Sequence, residues 1–221
     1  MNFLQQVRDH NVGRITKLPL VESILSGKPN KAAYIEYLIS VYNYAQHSPR
    51  VIALSASRCA NTHPDLCRYL LKHTEEEIGH EHWVYSDLKD LGLTDQQIRT
   101  ARPTAACFAM ISLEYYVAQH WNPIGLFGWL YALESLGDAM GEMISTALKN
   151  GLKLGGENKG IYFLEGHGVA DHDHSADLAE QIEKNITGAS DIEDVRYIAE
   201  ASGDLYARII EEAAMRKSLW A

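Results

Sequence analysis

A chain of 221 residues with 46% apolar content can bury a sizeable core, and its length suits one large domain (1–221) better than two. The net charge of −9, with a pI near 5.5, argues against nucleic acid and anionic membrane as partners, since both reward a basic surface. Cys59, Cys67 and Cys107 are odd in number and show no CxxC or zinc-ribbon spacing, which fits a reducing compartment better than a disulfide framework. No basic-then-apolar leader and no run of ~18 apolar residues is present, so a cytoplasmic protein without a membrane span is expected.

In chain order, Leu20–Leu25 reads as a short helix closed by Gly27. Ala32–Ala60 is a long periodic stretch with Pro49 as its kink. Asp65–Leu91 follows His63-Pro64 and stops at Gly92. Thr94-Asp-Gln-Gln97 is a capping box, opening a helix that bends or restarts at Pro103. A further helix is expected from Pro123 to Asn150, then a glycine-rich loop over Gly151–Gly160 and a helix over Ile161–Asn185. Ser190-Asp-Ile-Glu193 is a second capping box, starting a last helix that runs to Arg216. No stretch alternates with the period of a strand, so the expected fold is all-α, with about seven main helices.

Six of the 10 histidines fall in two windows: His73, His80 and His82, then His167, His172 and His174. At ~100° per helical residue, His167, Asp171 and His174 project from one narrow stripe, while His172 and Asp173 point elsewhere. Two imidazoles and a carboxylate on one face suit iron, manganese or zinc. The alternative is a solvated polar face.

In Thr74–His82, Glu75 and His82 lie seven residues apart, two turns of a continuous helix, with Gly79 leaving space between them. Leu71 and Ile78 flank that stripe, which would turn it inward. Glu76, Glu77, His80 and Glu81 then fall on other faces and read as charged surface. Glu77-x-x-His80 also matches the ExxH element of ferritin-like di-iron bundles, which need a second such pair; Asp171-x-x-His174 is the nearest approach. Glu134 sits in apolar helix, where an unpaired carboxylate is costly and a metal would relieve the cost. Asp138 and Glu142 follow one and two turns later and offer substitutes for it.

Glu75-x6-His82, then Glu134, then His167-x3-Asp171-x2-His174 resembles, in order and spacing, the ligand pattern of the heme-oxygenase-like di-iron oxidase family. The likeness is to its CADD/UndA-like branch, within the TenA/heme-oxygenase-like superfamily, and it spans roughly Ala32 to Arg216. It implies a seven-helix heme-oxygenase-like bundle. It also implies two non-haem iron ions cycling between Fe(II) and Fe(III), with manganese as the alternative metal. The expected activity is O2-dependent oxidation of a small organic substrate, amino-acid- or fatty-acid-derived. An external electron donor and a homodimer belong to the same expectation.

A metal-free TenA- or pyrroloquinoline-quinone-synthase-like enzyme, or a binding protein for a small heterocycle, is the competing reading. A TenA-like thiamin hydrolase, however, needs a nucleophilic cysteine in the segment Tyr131–Gly137, which has none. A haem-binding relative needs a proximal histidine near the N-terminus, where only His10 stands. Candidate substrate contacts are His47 and Arg50, astride Pro49, with Tyr42 and Tyr131 as pocket-lining tyrosines. An arginine there could grip a substrate carboxylate with both nitrogens.

Overall fold

The computed structural model describes residues 2–154 and 159–216, with the backbone alone at residue 2 and at 167–173. Among the described residues there is no strand. The chain runs through α1 (Asn2–Ile15), α2 (Pro19–Leu25), α3 (Lys31–Ala45), α4 (Ser48–Cys59), α5 (Pro64–Glu77) and α6 (His80–Asp90). It continues through α7 (Asp95–Thr100), α8 (Ala105–His120), a 3-10 turn at Pro123–Gly125, α9 (Leu126–Leu152), α10 (Tyr162–Asn185) and α11 (Ala189–Met215). None of these helices is long and apolar enough to cross a membrane.

The eleven α-helices among the described residues exceed the seven expected because α1 was not read, the segment from Thr94 restarts after Pro103 as α8, and two stretches read as single helices are broken. Ala32–Ala60 divides at Gln46-His47, just ahead of Pro49, into α3 and α4. Asp65–Leu91 divides at Ile78-Gly79 into α5 and α6, where Gly79 takes φ +100. The opening helix α1 has no strong apolar period in sequence, yet it buries Phe3, Leu4 and Val7.

Local side-chain caps set three of the helix starts. Asn30 accepts from the amides of Ala32 and Ala33, and Thr104 from that of Cys107. The capping box at Thr94 forms as read, with Gln97 reaching back to the Thr94 amide. The second box does not form: α11 starts at Ala189 without a side-chain cap. Asp191 instead accepts from Asn122 Nδ2 at 2.8 Å, and Asp194 accepts from the same nitrogen at 2.7 Å. These bonds tie the start of α11 to the turn before α9.

The helices pack around α9, which lies against α10 on one side and α11 on another, with α1 and α2 covering its remaining flank. Gly128 makes the α9–α11 approach possible, because a Cβ there would stand 2.1 Å from the Val195 carbonyl oxygen. On α8, Glu114 is fully buried and neither of its oxygens has a hydrogen-bond partner. Burial pushes its carboxyl well above the usual carboxylate range, so it is held neutral. Glu114→Met removes the unpaired polar group at similar volume and is expected to raise stability by about 1–2 kcal/mol in urea unfolding.

One tertiary cap positions the helix that carries His174. Asp87, buried on α6, accepts from the amides of Tyr162 (2.7 Å) and Phe163 (2.9 Å) at the start of α10. Burial pushes its carboxyl up to about 7, against the downward pull of those two amides. The folded state therefore holds a proton that the unfolded chain releases near pH 4. This contribution to stability is fully present below about 4 and is lost as pH rises towards 7. The difference in stability between Asp87→Asn and the parent is expected to change across that window, as read by urea melts at a series of pH values.

Candidate metal centre

On α5 the buried face runs Leu66, Leu70, His73, one helical repeat after another, and reaches Glu77 at the last residue of the helix. The chain then takes an extended residue, Ile78 (φ −66, ψ 118), followed by left-handed Gly79, before α6 begins at His80. That reversal aims Glu77 and His80, from two different helices, into one chamber. Its volume is about 750 Å³, part of it open to solvent, and its walls include His73, Glu77, His80, Trp129 and Glu134.

His73 is the most enclosed of these, at 2% exposure. Its Nε2 lies 2.9 Å from Glu134 Oε1, in ion-pair contact but off the direction of a good hydrogen bond. Both Glu134 oxygens thus lack a hydrogen-bond partner although they are buried. Glu76 and Glu77 approach the same imidazole at 3.7 and 3.9 Å, and Glu77 lies 3.4 Å from His80 Nδ1. Burial alone would lower the His73 pKa; Glu134, with Glu77 and Glu76, outweighs it and leaves the imidazole above its ordinary value. Ring packing fixes both histidines, Tyr69 stacking on His73 at 5.8 Å and Trp83 on His80 at 4.2 Å.

The structure treats the expected residues unequally. Glu134 faces the chamber, whereas Asp138 is paired with Arg8 at 2.7 Å and Glu142 is exposed. His174 does not line the chamber but packs against His73, their ring centroids 6.0 Å apart. His167 and Asp171 belong to the backbone of α10, but their side chains lie outside the described residues. Glu75 and His82 do not share an inward stripe: Glu75 is exposed and the His82 side chain is 79% exposed. The reason is the break at Gly79, which cancels the seven-residue register of a continuous helix. Leu71 and Ile78, the supposed flanks of that stripe, are exposed with them.

The four expected substrate contacts also fall outside the chamber walls. His47 Nδ1 is 3.0 Å from the Tyr115 hydroxyl, Arg50 is exposed, Tyr42 packs on Tyr85, and Tyr131 is buried towards Arg8. Tyr37, Tyr44, Tyr206 and Trp129 line the chamber instead. Helix α3 is buried at nearly every position, so its pattern could not single out the inward tyrosines. His73 and Glu77, by contrast, were legible as the continuation of the Leu66–Leu70 stripe.

Among the described residues no three histidine, cysteine, aspartate or glutamate side chains already converge on one point as a metal site. The donor chemistry nonetheless fits iron. Imidazoles and carboxylates are the ligands non-haem iron takes, and a buried carboxylate with both oxygens unsatisfied calls for a cation or donors.

A sequence model of the family described as iron-containing redox enzymes matches residues 35–207. The chain belongs to that family. This makes it an oxidoreductase of an iron-containing kind. No curated protein matches it in sequence. Among solved structures, a domain of unknown function with a heme oxygenase-like fold from Shewanella denitrificans aligns with a TM-score of 0.86 at 24% identity, covering 96% of this chain and 90% of that one. A TenA homologue from Pseudomonas syringae gives 0.79 at 14% identity, covering 96% and 91%. Heme oxygenase-1 from Synechocystis, solved in complex with heme, gives 0.72 at 15%, covering 96% and 92%. The fold is therefore the heme-oxygenase-like, TenA-like bundle expected from sequence.

Proposed function

We propose that this family member is a non-haem di-iron oxidase or oxygenase that uses O2 to oxidise a small organic molecule. Its donors are His73, Glu77, His80 and Glu134, with His174 and its helix-mates His167 and Asp171. The observation that supports this most is the buried Glu134, held against His73 with its oxygens unsatisfied. Glu75 and His82, on the outer face, are not in the set. The residues of the set would hold iron, or manganese as the alternative metal, which would supply electron transfer to O2 with electrons drawn from an external donor.

The chain's own residues prepare the chamber. Tyr69 and Trp83 hold the two imidazoles by stacking. The Tyr37 and Tyr206 hydroxyls share a 2.6 Å hydrogen bond, and burial raises the Tyr37 pKa well above its ordinary value, so it keeps its proton for donation.

Two neighbouring activities fit less well. A haem needs an axial imidazole at the cavity, and His10 is exposed on α1; the two carboxylates that lie beside His73 and His80 suit a small hard cation better than a porphyrin. A TenA-like nucleophile needs an activated thiol. No cysteine is among the described residues lining the chamber; Cys107 is buried, donates to the Ser40 carbonyl, and burial pushes its thiol up to about 12.

The test is anaerobic loading with Fe(II), counting of bound iron, then admission of O2 while the visible spectrum is followed. The parent is expected to take up about two irons per chain and His80→Ala clearly fewer, with His82→Ala indistinguishable from the parent. Uptake below about one iron per chain, or equal loss in the two histidine variants, would count against the proposal.

A further inference from the structure

A second chamber adjoins the first. Its volume is about 630 Å³, part of it open to solvent, and it lies between α9 and the short helices at the N-terminal end. Its described walls carry no charged side chain: Leu20 and Ile24 of α2 line it together with Leu136, Met140 and Ile144 of α9. Tyr34, also on the wall, spends its hydroxyl on the Gly160 carbonyl at 2.9 Å. A space of this kind stays dry and takes up small apolar molecules.

The two chambers share part of their walls. Gly137 and Gly141, one turn apart on α9, bring no side chain to that boundary. Tyr37 and Tyr206 stand on it, joined hydroxyl to hydroxyl at 2.6 Å. A thin boundary whose hydroxyls are already paired suits a guest that is small and makes no hydrogen bonds.

The donor chamber has its own opening to solvent, which is the way in for a polar substrate. A substrate seated over His73 and Glu134 closes that side while O2 is still needed at the donors. O2 carries no charge or dipole, and apolar surroundings favour it over water. Resting on the oxidase reading, we infer that the second chamber is the entrance for O2. The gas collects between α2 and α9 and crosses at Gly137 and Gly141, reaching the donors from behind the bound substrate. Substrate and O2 thus have separate entrances.

Trp129, 3% exposed on the donor-chamber wall, reports the arrival of O2 through collisional quenching of its phosphorescence in the metal-free, full-length protein. Its long-lived emission is identified by its loss in Trp129→Phe. Ile144→Phe, which fills the second chamber, is expected to lower the bimolecular quenching constant at least about fivefold. Gly141→Val, at the boundary, is expected to act in the same direction and serves if the first variant does not fold. In Ile144→Phe iron uptake stays at the parental level, while oxidation of the loaded iron by O2 slows in proportion to the quenching. A quenching constant unchanged in both variants overturns the inference, and so does iron oxidised at parental speed where quenching has slowed. Normal iron uptake with unchanged quenching rejects the O2 entrance alone. Slowed quenching without iron uptake rejects the oxidase alone.

Discussion

Glu134→Gln is expected to abolish most iron uptake. The substitution keeps the size of the side chain and removes the one charge that α9 places against His73. Changes to groups that merely support a metal ligand cost about 10–100-fold in affinity, so loss of a ligand carboxylate is expected to cost more than that. The glutamine can still offer an oxygen to the His73 ring, and the fold should survive. Fe(II) titration under anaerobic conditions, with a thermal melt of the metal-free variant beside it, gives both answers. Parental iron affinity in a folded Glu134→Gln protein would remove Glu134 from the site and leave its unsatisfied oxygens without an explanation.

The second large effect is on stability. At Gly128 even alanine is too big: its Cβ would lie 2.1 Å from the Val195 carbonyl oxygen and 2.7 Å from the Ala199 nitrogen. Both obstacles are backbone, so no rotamer change relieves them, and α9 and α11 must separate. The better helix propensity of alanine returns about 1 kcal/mol. A net loss of about 2 kcal/mol or more is expected, equivalent to a fall in Tm of roughly 4–8 °C for a chain of this size. Urea unfolding and thermal melts measure it. Glu134 lies less than two turns along the same helix, so iron uptake by Gly128→Ala should weaken as well.

The all-helical fold was readable because no segment alternates with a strand period and several carry helical patterns or caps, as at Thr94 and Asn30. Glu134 was readable for a thermodynamic reason: a lone acid in an apolar helix needs a partner. The interruptions between helices were not. Pro49 announced a disturbance near α4, but the break at Ile78-Gly79 has only a single glycine to mark it, and a glycine inside a helix usually costs stability without stopping the helix. Missing that one reversal put Glu75 and His82 on an inward stripe, where the structure turns Glu77 and His80 towards the chamber instead. The chamber tyrosines were hidden for another reason. On a helix buried all round, such as α3, pattern identifies the core but not which side chain meets a cavity. The cap from Asp87 to α10 joins segments 75 residues apart and has no local signature at all.

The turn at Gly79 has an evolutionary consequence. Glu77 and His80 are presented by the ends of two helices, so their separation is set by the torsions of two residues and not by helical rise. Each flanking helix stays anchored through its own core contacts, Leu66 and Leu70 on one side, Val84 and Leu88 on the other. Insertion or loss of one residue at this joint would exchange the inward donors for their neighbours in an acid- and histidine-rich run while leaving the scaffold alone. Given the proposed donor set, the joint makes ligand identity in this chain adjustable by very small genetic steps without redesigning the fold.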